Sequence, residues 1–211
     1  MKLKVSDFPE NLFITGTDTA VGKTLISAVL MSGLNATYWK PIQSGLEEET
    51  DTSWIQRVTQ LPSKQFLPER YLLSAPLSPH ESSRLDGIRI DMEQMQVPKI
   101  NSGKLIIEGA GGVFVPINEK DFIIDLMKQL NIPILIIASS QLGTINHTLL
   151  RIKLLRDYKL KIFGVVLNGD PNKVNKQAIE KYGKIPVVAE IPHMNNITSS
   201  SLKEQFHTAF L

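Results

Sequence analysis

The stretch FITGTDTAVGKT, residues 13–24, runs from an apolar segment through a loop into a helix-like segment. The common phosphate loop has a glycine, four residues and then Gly-Lys-Ser/Thr, whereas five residues separate Gly16 from Gly22 here. The amides at the helix start can still face phosphate oxygens, Lys23 can reach between the β- and γ-phosphates, and Thr24 can ligate Mg²⁺. The stretch therefore predicts a strand, a lengthened phosphate loop and a helix. A glycine-rich turn that only caps the helix is the alternative.

Further short apolar runs with β-branched residues predict a parallel sheet around this first strand. They lie at residues 12–16, 36–41, 104–109, 132–140, 161–169 and 185–191. The run at 132–140 is apolar throughout, which is typical of a strand covered on both faces. Helical patterns fall between the runs, so the predicted fold is α/β, a three-layer, mostly parallel sheet with helices on both faces.

Apolar periodicity predicts three helices beyond the one that follows the loop. Residues 121–130 place Phe122 on an apolar face, and Asp121 can cap the start of that helix. Residues 145–157 form the second predicted helix. The inward face of the third is marked by Val174, Ala178 and Tyr182.

The composition narrows the class of protein. A net charge of +2 favours neither a nucleic-acid nor a membrane partner, and the absence of cysteine excludes disulfides and thiol nucleophiles. The first residues lack an apolar stretch of signal-peptide length, so a cytoplasmic location is expected. Residues 50–100 have weak periodicity and several prolines, and are predicted to be a long excursion between strands. A single domain over residues 1–211 is therefore expected.

Acidic residues are the expected partners of a phosphate-bound Mg²⁺, which prefers carboxylate, water and phosphate oxygens. Glu108 is the leading candidate because it ends a predicted strand, and ligands gather at the carboxyl ends of parallel strands. A glutamate in solvent is the alternative for this position. Asp51 is a second candidate, but spacing does not select it over Glu47, Glu48 or Glu49.

A lysine lies at the end of the short predicted strand at 36–41. The ammonium of Lys40 could neutralise charge on a transferring phosphoryl group or on a bound anion. From spacing alone an ordinary surface lysine is the favoured interpretation, and Ser44 is similarly open.

Six motifs taken together are more specific than any one of them. They are GTDTAVGKT, WKPIQSG, LSPH, EGAGG, LGTINH and EIP. In this set and order the chain resembles the dethiobiotin synthetases, over roughly residues 12–192. The resemblance implies a P-loop NTPase-like fold with a deviant, long Walker A loop.

The resemblance also implies an activity, that of an ATP- and Mg²⁺-dependent ligase in biotin synthesis. Its substrates are 7,8-diaminononanoate (7,8-diaminopelargonic acid), CO₂ and ATP. One amine forms a carbamate, ATP converts it to a carbamic-phosphoric anhydride, and the second amine closes the ureido ring of dethiobiotin. Such chemistry needs positioning and charge stabilisation but no protein nucleophile, so the lack of cysteine is no obstacle.

Carried over residue by residue, the resemblance implies these roles. Thr24, Asp51 and Glu108 would ligate Mg²⁺, which resolves the choice within the acidic run. Lys40 would stabilise the carbamate and the transferred phosphoryl group, with Lys23 as the second catalytic lysine. The diamine or its carbamate would contact Thr19, Ser44, Gly143, Thr144, Ile145 and Asn146.

The nucleotide would lie along the phosphate loop, the strand end at Glu108 and two segments that hold the base. Besides Asp51 and Glu108, its contacts would be Ala20, Val21, Gly22, Lys23, Thr24, Leu25, Gly109, Ala110, Gly111, Asn168, Gly169, Pro192, His193 and Met194. Asn168 resembles the asparagine that reads adenine, since its amide can donate and accept at one base edge. Residues 192–194 match a loop that closes over the base.

The resemblance further implies a homodimer. Residues 143–146 match a helix start that helps to bind the substrate carboxylate across a dimer interface, and the free amides of a helix N-terminus suit a carboxylate. Simple capping of the helix is the alternative and does not exclude that role.

Two positions depart from the family pattern. Ala20 stands where many relatives carry an acidic residue, and Gly169 stands where an aspartate often follows the asparagine. The competing class is a nucleotide-switched ATPase of the partitioning or septum-positioning type, which shares the loop and the fold. Those proteins usually carry a lysine after the first glycine of the loop, where this chain has Thr17. A related amidating ligase would need a nucleophilic cysteine, which the chain lacks.

Overall fold

The computed structural model describes residues 2–46, 49–100 and 102–211. Nine strands form within that part of the chain. In chain order they are β1 (Asn11–Gly16), β2 (Thr37–Trp39), β3 (Ile42–Ser44), β4 (Phe66–Leu67), β5 (Tyr71–Leu73), β6 (Leu105–Gly112), β7 (Ile134–Ser139), β8 (Ile162–Asn168) and β9 (Val187–Ile191).

Seven α-helices alternate with these strands in the same described segments. They are α1 (Lys23–Leu34), α2 (Asp51–Thr59), α3 (Pro79–Leu85), α4 (Ile123–Leu130), α5 (Thr144–Asp157), α6 (Lys173–Gly183) and α7 (Ser199–Phe210). The six strands and the helices predicted from the sequence are all present, with ends that shift by a few residues.

The main sheet has seven parallel strands in the order β4-β2-β6-β1-β7-β8-β9. Strands β3 and β5 pair separately as a parallel two-stranded sheet. Because β1 lies between β6 and β7, the loop after Gly16 emerges near the middle of the carboxyl edge of the sheet. The prediction of a parallel sheet is confirmed.

Helices cover both faces of the main sheet. On one face α1, α2 and α7 pack their apolar residues, among them Ile26 and Phe206, against the sheet. On the other face α4, α5 and α6 bury Leu126, Ile152 and Ile179. With both faces covered, the strands can be apolar throughout, and the three-layer α/β architecture is confirmed.

The start of α4 differs from the prediction. Asp121 does not cap this helix, because its carboxylate accepts a hydrogen bond from the Asn118 side chain at 2.9 Å. The residue before the helix is Phe122, whose N–H donates to the carboxylate of Asp125 at 2.9 Å. Phe122 is also partly exposed and does not belong to the buried face. The capping carboxylate therefore comes from inside the helix.

The predicted inward face of α6 is wrong. Val174 and Tyr182 are 72% and 65% exposed, and Ala178 is only partly buried. The core contacts come from Ile179 and Gly183. This helix packs with α5 and covers the edge of the sheet, so only a narrow stripe is buried and the sparse apolar pattern does not identify it.

Residues 50–100 are more regular than predicted. The helices α2 and α3 lie in this region, β4 joins the edge of the main sheet, and β5 pairs with β3. The two strands have only two and three residues, which is too short for an alternating pattern to be read from the sequence.

The last helix, α7, packs tightly against α1. Leu202, Phe206 and Phe210 are fully buried, and together they recur every four residues along α7. These apolar residues therefore form a stripe along α7 that faces the core. Among the described residues, no helix combines the length and apolar character needed to cross a membrane.

Replacing Gly33 by alanine should destabilise the α1–α7 contact. A methyl group at this position would overlap the ring of Phe206. Overpacking of this kind costs about 2 kcal/mol of unfolding free energy, which corresponds to a fall of about 4–8 °C in melting temperature for a domain of this size. Thermal unfolding of the two proteins measures the difference.

The direction of the change in melting temperature distinguishes a tight contact between α1 and α7 from a loose one. Alanine normally stabilises a helix interior relative to glycine by about 0.5–1 kcal/mol, so an unchanged or raised melting temperature would show that the contact is loose. Combining Gly33→Ala with Phe206→Leu should recover part of the loss, because the smaller side chain makes room for the added methyl group.

Candidate functional site

The candidate site lies where three neighbouring parallel strands end. Strand β6 runs beside β1 and pairs Glu108 with Ile14, and β2 runs along the other side of β6. The pairing of β1 with β6 then shifts, and Gly16 lies opposite Gly112. Because the carboxyl ends of all three strands lie at one edge, the phosphate loop, Glu108 and Lys40 are brought together.

A cleft of about 340 Å³ opens at this edge of the sheet. Its lining comes from the phosphate loop, the start of α1, the residue after β2, the start of α2 and the second half of β6. The lining residues are Thr19, Ala20, Gly22, Lys23, Thr24, Lys40, Asp51, Glu108 and Gly111. All nine are among the site residues expected from the sequence. Their position at the cleft does not by itself test the role of each.

The phosphate loop leads into α1 through a left-handed residue. Gly22 precedes the helix with φ 95° and ψ 27°, a conformation that glycine adopts without a steric penalty. The Lys23 ammonium donates to the carbonyl of Asp18 at 3.1 Å and so crosses the inside of the loop. Burial lowers the pKa of Lys23, and the negative charges of Glu108 and Asp18 oppose that effect. The loop thus presents a helix start and a buried lysine to the cleft.

Ala20 is the one residue of this loop, apart from glycine, with a left-handed backbone. Its φ is 54°, a conformation that costs a residue with a Cβ roughly 1–2 kcal/mol. The side chain is exposed and lines the cleft. The departure from an acidic residue therefore leaves a small methyl group at the mouth of the site, and nothing in the structure explains the change.

Glu108 is fully buried, so the interpretation as a glutamate in solvent is wrong. One carboxylate oxygen accepts hydrogen bonds from Ser27 at 2.6 Å and from Tyr38 at 3.1 Å. The other oxygen accepts from the hydroxyl of Thr24 at 3.2 Å. Burial, together with the charge of Glu108, raises the pKa of Tyr38 well above its ordinary value. Tyr38 therefore stays protonated and continues to donate to the carboxylate.

Asp51 reaches the same point from a different element. It is the first residue of α2, and its Oδ1 atom accepts from the Thr24 hydroxyl at 2.8 Å. Glu49, which spacing left equally eligible, pairs with Arg57 on the surface. Glu47 and Glu48 lie outside the described residues. Geometry therefore favours Asp51 over Glu49 at the cleft.

Lys40 is buried between the two carboxylates. Its ammonium forms an ion pair with Asp51 and lies 3.8 Å from the Oε1 atom of Glu108. Burial lowers the pKa of Lys40, and the charge of Glu108 opposes this while the charge of Lys23 adds to it. The interpretation of Lys40 as a surface lysine is therefore wrong. The cleft brings two cations, Lys23 and Lys40, close to two carboxylates, Asp51 and Glu108.

The donors around Thr24 fit a magnesium ion bound with phosphates. The Thr24 hydroxyl and the carboxylates of Asp51 and Glu108 are hard oxygen donors that meet at one point. Among the described residues no group of three or more His, Asp or Glu could hold a metal, so protein carboxylates alone do not form a cage. Magnesium usually binds through one or two carboxylates together with waters and phosphate oxygens. The three residues therefore suit Mg²⁺ that arrives with a nucleotide.

Two residues that hold Glu108 are not identified by the sequence motifs. Ser27 lies one helical turn after Lys23, so both face the same side of α1. Tyr38 lies two residues before Lys40 on β2 and opposite Ile106 of β6. A spacing of two along a strand places side chains on one face, and this signal could have indicated Tyr38.

The expected base-binding segment lies beside the phosphate loop. The side-chain amide of Asn168, at the end of β8, donates to the carbonyl of Val21 at 3.0 Å. Its second N–H and its oxygen remain available to a base edge. Gly169 follows with φ 119°, and an added Cβ would lie 2.6 Å from the Ser140 hydroxyl. A side chain at position 169 would therefore be strained in this conformation.

The remaining nucleotide candidates surround this segment. Residues 192–194 follow β9 directly, and Nε2 of His193 lies 3.7 Å from the point where a Cβ of Gly169 would stand. Leu25 is partly buried in the first turn of α1. Gly109 packs under Phe13, so that an added Cβ would come within 2.8 Å of its ring. None of these positions lines the cleft itself, nor does Ala110.

The diamine candidates lie in three places. Thr19 is exposed at the cleft, and its N–H donates to the Asp18 carboxylate at 2.7 Å. Ser44 ends β3, and its buried hydroxyl has no hydrogen-bond partner among the described residues. It does not line the cleft. The structure thus brings Thr19 to the cleft but not Ser44.

The third place is the start of α5. Gly143 precedes this helix with φ 95°, Thr144 is buried and Asn146 is exposed. Ile145 is partly buried against the core, and none of the four lines the cleft. Within one copy of the chain the cleft and the α5 start are therefore separate features.

Comparison with known proteins identifies the family to which this chain is similar. A family model described as an AAA domain matches residues 10–201. The ATP-dependent dethiobiotin synthetase BioD of Paramagnetospirillum magneticum is 46% identical over 90% of this chain and 92% of its own length. The protein of the same name from Brucella ovis is 42% identical over 94% and 93%. A biotin biosynthesis bifunctional protein, BioCD of Bordetella avium, is 43% identical over 92% of this chain, which spans 42% of that longer protein.

Comparison of folds gives more distant neighbours. A ParA family ATPase from Chlorobium tepidum superposes with a TM-score of 0.53 at 13% identity, over 96% of both chains. The septum site-determining protein MinD of Pyrococcus horikoshii, complexed with Mg-ADP, has a TM-score of 0.52 at 12% identity over 95% and 92%. At such identities the likeness shows the fold alone, which is that of the P-loop NTPases.

Proposed function

Because the chain belongs to the family of ATP-dependent dethiobiotin synthetases, we propose that it closes the ureido ring of dethiobiotin from 7,8-diaminononanoate, CO₂ and ATP. The relatives confirm the resemblance that the six motifs indicate, and an ATP-dependent ligase of biotin biosynthesis is the activity that they carry in their names. The observation that carries the proposal is the cleft at the ends of β1, β2 and β6, where two lysines face two carboxylates beside a phosphate loop.

The proposed reaction conserves all of its atoms. One amine of the diamine adds to CO₂ and loses a proton, which gives a carbamate. A carbamate oxygen attacks the γ-phosphorus of ATP, and ADP leaves with the electrons of the broken bond. The second amine then attacks the carbamate carbon, phosphate departs with the electrons of the broken C–O bond, and the attacking nitrogen loses one of its two protons as the ring closes. The chain must therefore stabilise negative charge on two successive groups.

The lysines are the groups proposed to provide that stabilisation. Lys23 and Lys40 are both buried at the cleft, where a low local dielectric strengthens their interaction with an anion. The amides at the start of α1 would hold the β- and γ-phosphates, and Thr24, Asp51 and Glu108 would hold Mg²⁺. When bound, Mg²⁺ would supply further charge neutralisation on the phosphates. Asn168 and residues 192–194 would hold the base.

A homodimer is part of the proposal. Leu142 is fully exposed directly before the α5 start, and Leu150, farther along α5, is 56% exposed. An exposed leucine just before this helix and another along it support an interface that would bring residues 143–146 close to a substrate carboxylate held by a second copy. Sedimentation at micromolar concentration should therefore show a dimer, and a monomer would remove this part of the proposal.

The nucleotide-switched ATPase has weaker support. Its solved members share the fold at 12–13% identity, which says nothing about the use of ATP. Position 17 holds threonine rather than the lysine typical of that class. The helix α7 also packs its apolar residues into the core. No feature of the described residues favours the switch over the ligase.

The activity is tested by phosphate release with ATP, Mg²⁺, bicarbonate and the diamine. We expect release only when the diamine is present, together with dethiobiotin that carries ¹³C at the ureido carbon when labelled bicarbonate is supplied. Hydrolysis at an equal rate without the diamine would contradict the ligase and favour a switch. The monoamine 8-aminononanoate is the matched control, because it lacks the second nucleophile and cannot close the ring.

A further inference from the structure

Arg151 of α5 reaches the phosphate loop although it belongs to none of the six motifs. One of its terminal nitrogens, Nη2, donates to the carbonyl of Thr17 at 2.8 Å. Its Nε atom is buried and has no hydrogen-bond partner among the described residues. The side chain thus contacts the loop backbone without lining the cleft.

The front half of the loop, residues 17–20, is supported separately from the back half. The carbonyls of Thr17 and Asp18 accept from Arg151 and Lys23, two cations that come from different helices. The N–H of Thr17 donates to Ile137 of β7 at 2.8 Å. The back half is held instead by α1 and by the contact of Asn168 with the loop backbone. Arg151 therefore acts on the segment that carries Thr19 and Ala20.

The space for the guanidinium depends on a glycine. An added Cβ at Gly112, the last residue of β6, would lie 3.0 Å from Nη2 and 3.7 Å from Cζ of Arg151. Burial lowers the pKa of the guanidinium and the charge of Asp18 opposes this, but arginine stays protonated at any working pH. A permanent positive charge is thus packed between α5, β6 and the loop.

We propose that Arg151 is a positioning residue for the diamine side of the site. It holds the front half of the loop in the one conformation that presents Thr19 at the cleft, and Gly112 provides the room for it. This inference rests on the proposed ligase function, because the second substrate is taken to be the diamine.

Binding of the nucleotide should depend on Arg151 much less than binding of the diamine does. Phosphates would bind the amides that follow Gly22 and the side chains of Lys23 and Thr24, all of which belong to the back half of the loop and α1. Without Arg151, the Thr17 carbonyl loses its charged donor, and the front half keeps only the Lys23 contact with Asp18 and the Thr17 N–H contact with Ile137. Thr19 would then sample positions away from the cleft.

The first test compares Arg151→Met with Arg156→Met. Arg156 lies on the same helix and also donates to a carbonyl, that of Lys184 at 3.0 Å, but on the exposed surface. Arg151→Met should lower kcat/KM for the diamine by about 10–100-fold, the usual range for a hydrogen bond from a charged group. The affinity for Mg·ADP should stay within about twofold, and Arg156→Met should change neither value. Equal losses for both ligands, or no loss, would overturn the proposal.

Two further variants separate positioning from simple loss of stability. Arg151→Lys keeps the positive charge but not the forked guanidinium group, and it should retain part of the kcat/KM for the diamine. Gly112→Ala should shift the guanidinium by a few tenths of an ångström, weaken its hydrogen bond to the Thr17 carbonyl and cause a smaller loss of the same selective kind. The double variant Arg151→Met with Gly112→Ala should then be no worse than Arg151→Met alone, because both act through one contact. Additive losses would contradict the shared mechanism.

The last readout does not need the enzyme to turn over. Amide hydrogen exchange without substrates should become faster at residues 17–20 in Arg151→Met, and not in Arg156→Met. Unchanged exchange would overturn the role of Arg151 whether or not the chain closes the ring. A wild-type chain that shows no diamine turnover would instead overturn the ligase, while the exchange result would still report on the loop.

Discussion

Replacing Lys40 by methionine should abolish ring closure and leave nucleotide binding nearly intact. The ammonium is buried between Asp51 and Glu108, so it is already placed at the cleft and no solvent has to reorganise around it during the reaction. Loss of one such preorganised donor lowers turnover by about 10²–10³-fold, and we expect the upper end because only Lys23 remains as a cation in the cleft lining. Steady-state phosphate release with saturating diamine measures the change.

The matched control for this variant is Lys104→Met. Lys104 is also a partly buried lysine, but it lies just before β6, at the amino end of the strand, and donates to the carbonyl of Phe8. It should retain wild-type turnover. The affinity of the Lys40 variant for Mg·ADP should stay within about threefold, since ADP lacks the transferred phosphoryl group. Turnover within tenfold of wild type would remove Lys40 from the mechanism.

Replacing Gly22 by alanine should strongly weaken nucleotide binding. At φ 95° the new side chain meets a left-handed backbone, and its Cβ would overlap the Nδ2 atom of Asn168. The backbone strain is worth about 1–2 kcal/mol, and the lost hydrogen bond from Asn168 to Val21 about 1 kcal/mol more. A loop that relieves both effects by leaving its phosphate-binding conformation must recover about 2–3 kcal/mol when the nucleotide binds, which lowers the affinity for Mg·ADP by about 100-fold. Isothermal titration of the two proteins with Mg·ADP checks the value.

The control Gly87→Ala separates the backbone strain of a positive φ from the steric overlap with Asn168. Gly87 also has a positive φ, 66°, but no described atom lies within 4 Å of an added Cβ. This control should therefore lose stability without losing affinity. If Gly22→Ala bound Mg·ADP as tightly as wild type, the loop could not be holding phosphates through the backbone around residue 22.

The order of residues along the chain is enough to predict the phosphate loop and the parallel sheet. Gly22, Lys23 and Thr24 are contiguous, and the apolar run before them is long enough to be read as a buried strand. Weakly patterned elements are harder to predict. The predicted inward face of α6 is wrong because a helix at the edge of the sheet needs only one or two apolar contacts.

The acidic residues of the site show that spacing along the sequence does not identify which carboxylate reaches the cleft. Four acidic candidates, residues 47–49 and Asp51, are nearly adjacent in sequence, and only the start of α2 directs Asp51 toward Thr24. The family resemblance selects Asp51, whereas the residues by themselves leave the choice open. Glu49 instead forms a surface ion pair with Arg57, which no pattern in the sequence indicates.

The sequence by itself determined the fold class and the phosphate loop and limited the candidate lysines and carboxylates to a few residues, because local order and residue chemistry are written along the chain. The tertiary structure decided which of them meet. Asp51 and Glu108 lie 27 and 84 residues from Thr24, yet both bind its hydroxyl. Arg151 reaches Thr17 across 134 residues. Such contacts depend on β6 lying beside β1 and on α5 packing beneath the loop, and strand order is a non-local outcome of burying both faces of the sheet.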